Sequence, residues 1–257
     1  MDPVEVKTER GVMTATLVDV QNRNALGAAL VQGLRDALAS ANADPAIRAL
    51  VVTNRGSTFC AGANLKEQSG AVTRGSGLGG FETLLEELQG SPTPVVGRIA
   101  GHVVGGGNGL AAALDISIAA DDVKFGFTEV RLGVAPAIIS VVCLPKMRRA
   151  EALEAFLRGH RFPASRAVEL GLINRAVPPA ELDAAVDEVL EDLRRGGPRA
   201  LGFAKRLVYE VPTLPQKEAF QRTAALSRDL FKGEEAREGM QAFLTRRRPS
   251  WAEPSED

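Results

Sequence analysis

The sequence predicts an α/β fold in residues 1–197 and an all-helical region in residues 198–257. Three observations carry this expectation. Up to Arg195, short apolar runs alternate with amphipathic segments in strand-strand-helix order. After the Gly196-Gly197-Pro198 breaker only helical patterns remain. Between them, at 94–136, an apolar strand runs into a glycine triplet and then into a short apolar helix.

Taken in order, Val4-Glu5-Val6 and Val12 to Val18 alternate as two strands, joined as a hairpin at Glu9-Arg10-Gly11. A helix is expected to open at Asn22-Arg23-Asn24-Ala25-Leu26, because Leu26, Leu30, Leu34 and Leu38 form one apolar stripe. Asp44-Pro45 stops it, and Ile47 to Thr53 reads as a buried strand. Phe59 to Lys66 brings small residues to a polar helix start. Ser69 to Gly80 is rich in glycine and serine and reads as a mobile loop. Leu84, Leu85 and Leu88 mark a helix that ends at Gly90.

The central stretch predicts a strand at Val95 to Ile99, a short helix at Leu110 to Leu114 and a strand at Ile116 to Ala120. Helices follow at Ile138 to Pro145, Arg149 to Gly159 and Ala164 to Gly171, then a strand at Ile173 to Val177. Pro179 to Arg195 is strongly amphipathic. Beyond the breaker, helices are expected at Leu201 to Tyr209, Gln216 to Phe231 and Glu234 to Leu244, with Trp251 as an anchor in a polar tail.

Composition removes several function classes. A net charge of −1 over 257 residues supplies no field for nucleic acid or anionic lipid. The charged start MDPVEVKTER has no apolar signal core, and no run approaches the length of a membrane span, so a cytoplasmic protein is expected. Cys60, Cys143, His102 and His160 have no metal-ligand spacing, so no metal site is expected. No G-x-S-x-G elbow occurs.

Gly105, Gly106 and Gly107 leave backbone N–H groups uncovered at a helix start, which suits an anion or oxyanion; a tight turn against a neighbouring strand is the other reading. Gly107-Asn108-Gly109-Leu110-Ala111-Ala112 also fits a dinucleotide pattern, but the next strand follows too soon for the usual crossover helix. Glu129 lies among Phe125, Phe127 and Val130. It reads either as a buried acid/base or as a carboxylate at a helix start. Cys60 reads as packing, and His102 flanks the glycines.

In order and spacing, these segments resemble the crotonase (enoyl-CoA hydratase/isomerase) superfamily. The resemblance rests on Arg23-Asn24-Ala25-Leu26, FCAGANLKE at 59–67, IAGHVVGGGNGLAAALDISIAADDVKFGFTEVRLG at 99–133 and Ala167-Val168-Glu169-Leu170-Gly171-Leu172-Ile173. It implies a spiral of ββα units followed by a C-terminal helical trimerisation region, as a homotrimer or hexamer. It also implies a CoA thioester substrate, with no separate cofactor, whose enolate is held by the N–H groups of Ala63 and Gly106. Glu129 matches the family's second glutamate, and Gly109 stands where two-glutamate hydratases carry the first. Arg23 and Lys66 match positions that contact the CoA nucleotide. Ala25, Ala61, Asn64, Leu65, His102, Gly105, Asn108 and Gly109 complete the expected binding wall, with His102 or Asn108 as candidates to position water. Asn64 replaces an aspartate.

The expected activity is hydration of a 2-enoyl-CoA. The alternatives are Δ3,Δ2-enoyl-CoA isomerisation with Glu129 as single base, a hydrolase or decarboxylase of the same fold, and a non-catalytic acyl-CoA-binding protein.

Overall fold

The computed structural model describes residues 2–65, 67 and 80–252. The hairpin forms as expected: β1 (Val4–Glu9) and β2 (Val12–Leu17) are antiparallel, with Val4 opposite Leu17 and Glu9 opposite Val12. The following helix, α1 (Ala28–Ala43), begins later than the leucine stripe suggests. Arg23 and Asn24 both take left-handed backbone angles, at φ 54° and 51°, and these cannot continue a helix. Leu26 instead pairs with the chain at Ala63 as an isolated parallel bridge.

Three pairs of strands then repeat one move. β3 (Ala49–Asn54), β5 (Val95–Ile99) and β7 (Ile116–Ala120) enter a six-stranded sheet that β10 (Arg175–Val177) completes, in the order β1-β2-β3-β5-β7-β10, parallel beyond the hairpin. β4 (Thr58–Cys60), β6 (His102–Val104) and β8 (Lys124–Gly126) continue each of these into a second sheet with β9 (Arg161–Pro163), in the order β4-β6-β8-β9. Helices α2 (Phe81–Gly90) and α3 (Gly106–Ala113) carry the chain back to the first sheet. The result is a spiral of ββα turns. Successive turns are stitched at their corners: Asn54 Oδ1 accepts the N–H of Ala100 at 3.0 Å, and the Ser57 carbonyl accepts that of His102 at 2.9 Å.

The parallel strands are covered on both faces, which explains their unbroken apolar runs; all six residues of β3 are buried. α4 (Ala137–Cys143) and α5 (Arg149–Arg158) lead to β9 (Arg161–Pro163), which closes the second sheet antiparallel to β8. α6 (Ala164–Glu169), β10 (Arg175–Val177) and α7 (Leu182–Arg195) complete the first sheet and its cover. From Pro198 the described chain is helical: α8 (Pro198–Glu210), α9 (Gln216–Lys232) and α10 (Glu234–Leu244). Trp251 does anchor the end, donating its indole N–H to the Arg195 carbonyl at 3.1 Å. Of the loop expected at 69–80 only Gly80 is among the described residues.

Candidate active site

The N–H groups of segment 61–64 are engaged with one exception. Ala61 N–H donates to the Arg23 carbonyl at 3.1 Å, Asn64 N–H donates to the Leu26 carbonyl at 3.3 Å, and the Gly62 N–H meets the Cys60 sulfur. The Gly62 carbonyl accepts from Leu26 N–H at 2.7 Å. In an extended chain, neighbouring amides face opposite sides. With Gly62 and Asn64 turned to Leu26, the Ala63 N–H points away, and it has no acceptor among the described residues. Buried Asn24 props this segment by donating to the Thr58 carbonyl at 2.8 Å.

The glycine triplet comes to the same place. Gly62 has φ 86° and Gly105 φ 54°, and a Cβ on Gly62 would lie 3.0 Å from the Gly106 nitrogen. Only two glycine backbones can approach so closely. Gly106 is the first residue of α3, so its N–H has no partner within the helix, and it finds none among the other described residues. Two unpaired amides, Ala63 and Gly106, therefore lie on adjoining strands of chain.

Glu129 supplies the third side. It opens a short 3-10 turn, Glu129–Leu132, after the buried Phe127. Its Oε1 would be 3.5 Å from a Cβ on Gly105, which places the carboxylate beside the triplet. Oε2 is buried without a hydrogen-bond partner. Burial pushes the carboxyl above its usual range, opposed only in part by the residue's own N–H. Glu129 thus starts a helical turn and, half-buried, sets one buried carboxylate oxygen beside the glycine triplet. Such a constellation can hold an oxyanion and move a proton next to it.

A family model described as Enoyl-CoA hydratase/isomerase matches residues 7–254. The chain belongs to the enoyl-CoA hydratase/isomerase family. Among solved structures, Pseudomonas aeruginosa AtuE is 33% identical with a TM-score of 0.91, covering 98% of this chain and 100% of that one. An enoyl-CoA hydratase from Mycobacterium avium is 40% identical with a TM-score of 0.74, covering 97% and 98%. The carnitinyl-CoA dehydratase of Salmonella typhi is 29% identical over 252 residues, 95% of this chain and 96% of its own.

In this family member, several expected wall residues have other work. Asn108 is buried and donates its amide N–H to the carbonyls of Gly105 at 3.0 Å and Gly126 at 2.9 Å, which braces the triplet. Its Oδ1 is buried without a hydrogen-bond partner among the described residues. His102 accepts the Lys124 N–H on Nδ1 at 3.1 Å and ties β6 to β8. At Gly109 the side-chain direction is filled: a Cβ there would lie 2.2 Å from Ile139 Cγ2. A Cβ on Gly107 would lie 2.6 Å from the Cys60 carbonyl oxygen, so the dinucleotide-like glycines serve close packing.

Ala25 is buried, with its carbonyl accepting from Gly27. The Arg23 and Leu65 side chains are exposed near the Ala63 segment, and Lys66 lies outside the described residues. The Cys60 and Cys143 thiols are buried and pushed up to about 12, which removes them as nucleophiles at neutral pH.

Two contributors escape sequence reading. Ile139 sits among ordinary apolar residues in AIIS and carries no local signal. Glu67 holds the start of α1 by accepting the Ala28 N–H at 3.0 Å, while Asn64 donates to its other oxygen at 2.8 Å. The capping signal is out of reach of a local motif, because the acceptor comes from 39 positions away. Among the described residues no helix is long and apolar enough to cross a membrane, and no group of three His, Cys, Asp or Glu side chains is placed for a metal ion.

Proposed function

We propose that the protein adds water to a 2-enoyl-CoA thioester. The Ala63 and Gly106 N–H groups hold the thioester oxygen as the enolate develops, and Glu129 exchanges the proton at the neighbouring carbon. The observation that carries this reading is a half-buried carboxylate, with one oxygen buried and unpartnered, beside two unpaired backbone donors. Each such donor contributes about 10²–10³ in turnover where it has been removed in other enzymes. Burial raises the Glu129 pKa, the direction that favours a group which both takes and returns a proton. Names of relatives, an enoyl-CoA hydratase and a carnitinyl-CoA dehydratase, favour water as the second reactant.

One observation favours a second reading. Gly109 is closed off by Ile139, so the described site holds a single carboxylate, and a single base suffices to shift a proton between two carbons of a 3-enoyl-CoA.

The deciding assay gives the protein crotonyl-CoA and a 3-enoyl-CoA separately. Water addition to the first is expected; double-bond migration in the second without hydration assigns the isomerase. Glu129→Gln should lower turnover by at least ~10²-fold in either case, with acetoacetyl-CoA binding little changed. Full activity of Glu129→Gln in both assays overturns the proposed role of Glu129; a wild type that binds acetoacetyl-CoA and turns over neither substrate is left with an acyl-CoA-binding role.

A further inference from the structure

We propose that Ile139 determines reaction specificity at this site by filling the space that a side chain at position 109 would need, so that Glu129 has no second acid beside it. The inference deepens the acid/base reading of Glu129 and rests on it.

The geometry is specific. A Cβ on Gly109 would lie 2.2 Å from Ile139 Cγ2, 2.7 Å from Ile139 Cβ and 3.4 Å from Ile139 Cα. The first contact is to a branch methyl, which a rotamer change could move. The second is to the Cβ itself, which no rotamer moves. Isoleucine in a helix is also nearly confined to one χ1 well, so even the methyl has little freedom. Position 109 thus stays a glycine as long as α3 and α4 keep their separation and Ile139 its side chain. Ile139 and Cys143 are buried one turn apart on the same side of α4. Gly105, whose Cβ would lie 3.5 Å from Glu129 Oε1, caps α3, and Gly109 follows it by four residues, so position 109 lies one helical turn from the residue beside the carboxylate. The space that a second acid at 109 would need is filled by an apolar side chain.

The contact distances predict how substitutions couple. Gly109→Ala adds only the clashing Cβ and should lower Tm by roughly 2–8 °C. Ile139→Gly removes both the 2.2 Å and the 2.7 Å contacts and leaves the ordinary 3.4 Å one. In the Ile139→Gly background, Gly109→Ala should therefore lower Tm much less. Ile139→Ala keeps the 2.7 Å contact and should give only partial relief; it serves as the test if Ile139→Gly does not fold. An equal Tm penalty for Gly109→Ala in all backgrounds overturns the steric claim.

The specificity claim is read with Gly109→Glu. Alone it should destabilise the protein and hydrate crotonyl-CoA no better than wild type. Combined with Ile139→Gly it should hydrate ~10²-fold faster than Ile139→Gly alone, the lower end for a positioned acid/base. A folded double variant that binds acetoacetyl-CoA and shows no such gain overturns it, as does Gly109→Glu alone with a normal Tm and faster hydration. The melting experiments need no turnover. Failure of the acid/base reading, seen as an active Glu129→Gln, is thus separable from failure of the plug.

Discussion

At the scale of single residues, burial decides the chemistry. Glu129 keeps one oxygen unpartnered, and its pKa in the folded chain is raised above the unfolded value of about 4.3. The folded state then holds a proton that the unfolded state has lost, so stability falls as pH rises from the unfolded pKa through the folded one. At neutral pH the ionised Glu129 costs stability. Glu129→Gln should therefore raise Tm at pH 7, with the gain shrinking toward pH 4, as scanning calorimetry across pH would show; a loss of Tm at pH 7 contradicts this. The two thiols make a separate case. Both are buried and held near 12, so neither should react with iodoacetamide in the native protein, and both should react in denaturant. Labelling of native protein by mass spectrometry checks it.

At the scale of elements, the start of α1 and the Ala63 segment support one another. Gly27 has no side chain to cap α1, and Glu67 does so from the site side, with Asn64 donating to its second oxygen. An aspartate at 64 would set a second negative group against Glu67. Asn64→Asp should therefore destabilise the fold at neutral pH. Glu67→Ala should cost about 1 kcal/mol, the usual loss for a helix cap. Urea unfolding of both variants measures this; an unchanged midpoint for Glu67→Ala would mean that α1 needs no cap there.

For the whole molecule, the link between body and helical tail is polar. Among the described residues the main apolar core includes none beyond Leu193, whereas Lys205 of α8 makes a largely buried ion pair with Asp115 at 2.8 Å and donates to the Leu88 carbonyl at 2.6 Å. Desolvation is the largest influence on both partners: the Asp115 pKa is raised and the Lys205 pKa lowered despite their attraction. Such a pair adds little net stability yet is expensive to break from one side. Lys205→Met should cost about 3–5 kcal/mol, and Lys205→Met with Asp115→Asn clearly less. A single variant as stable as wild type would deny the pair this role. The outer faces of α9 and α10 leave Phe231 65% and Phe243 83% exposed. We propose that these faces meet other copies of the chain, as a closed trimer or hexamer. Light scattering should give a multiple of 27.2 kDa, and Phe231→Asp with Phe243→Asp should reduce it; a wild-type monomer at micromolar concentration ends this proposal.

The sequence by itself determined the alternation of elements. The hairpin, the strand at Ile116 to Ala120 and the helix at Glu234 to Leu244 follow from local periodicity, because one buried face per element leaves its period in the chain. Motif order then brought out Ala63, Gly106 and Glu129. Tertiary structure decided what periodicity does not encode. β6 and β8 have three residues each, too few for a period, and exist because earlier turns of the spiral offer them partners. The turn at 22–26 overrides a leucine stripe because Leu26 is drawn to Ala63. Asn108 and His102 look unengaged in sequence, yet the Asn108 amide N–H group and His102 Nδ1 bind backbone partners brought in from another turn of the spiral, at Gly126 and Lys124. The emptiness at Gly109 is set by Ile139, thirty positions on, since the room for one side chain depends on how closely two helices approach, and that distance is written in neither helix alone.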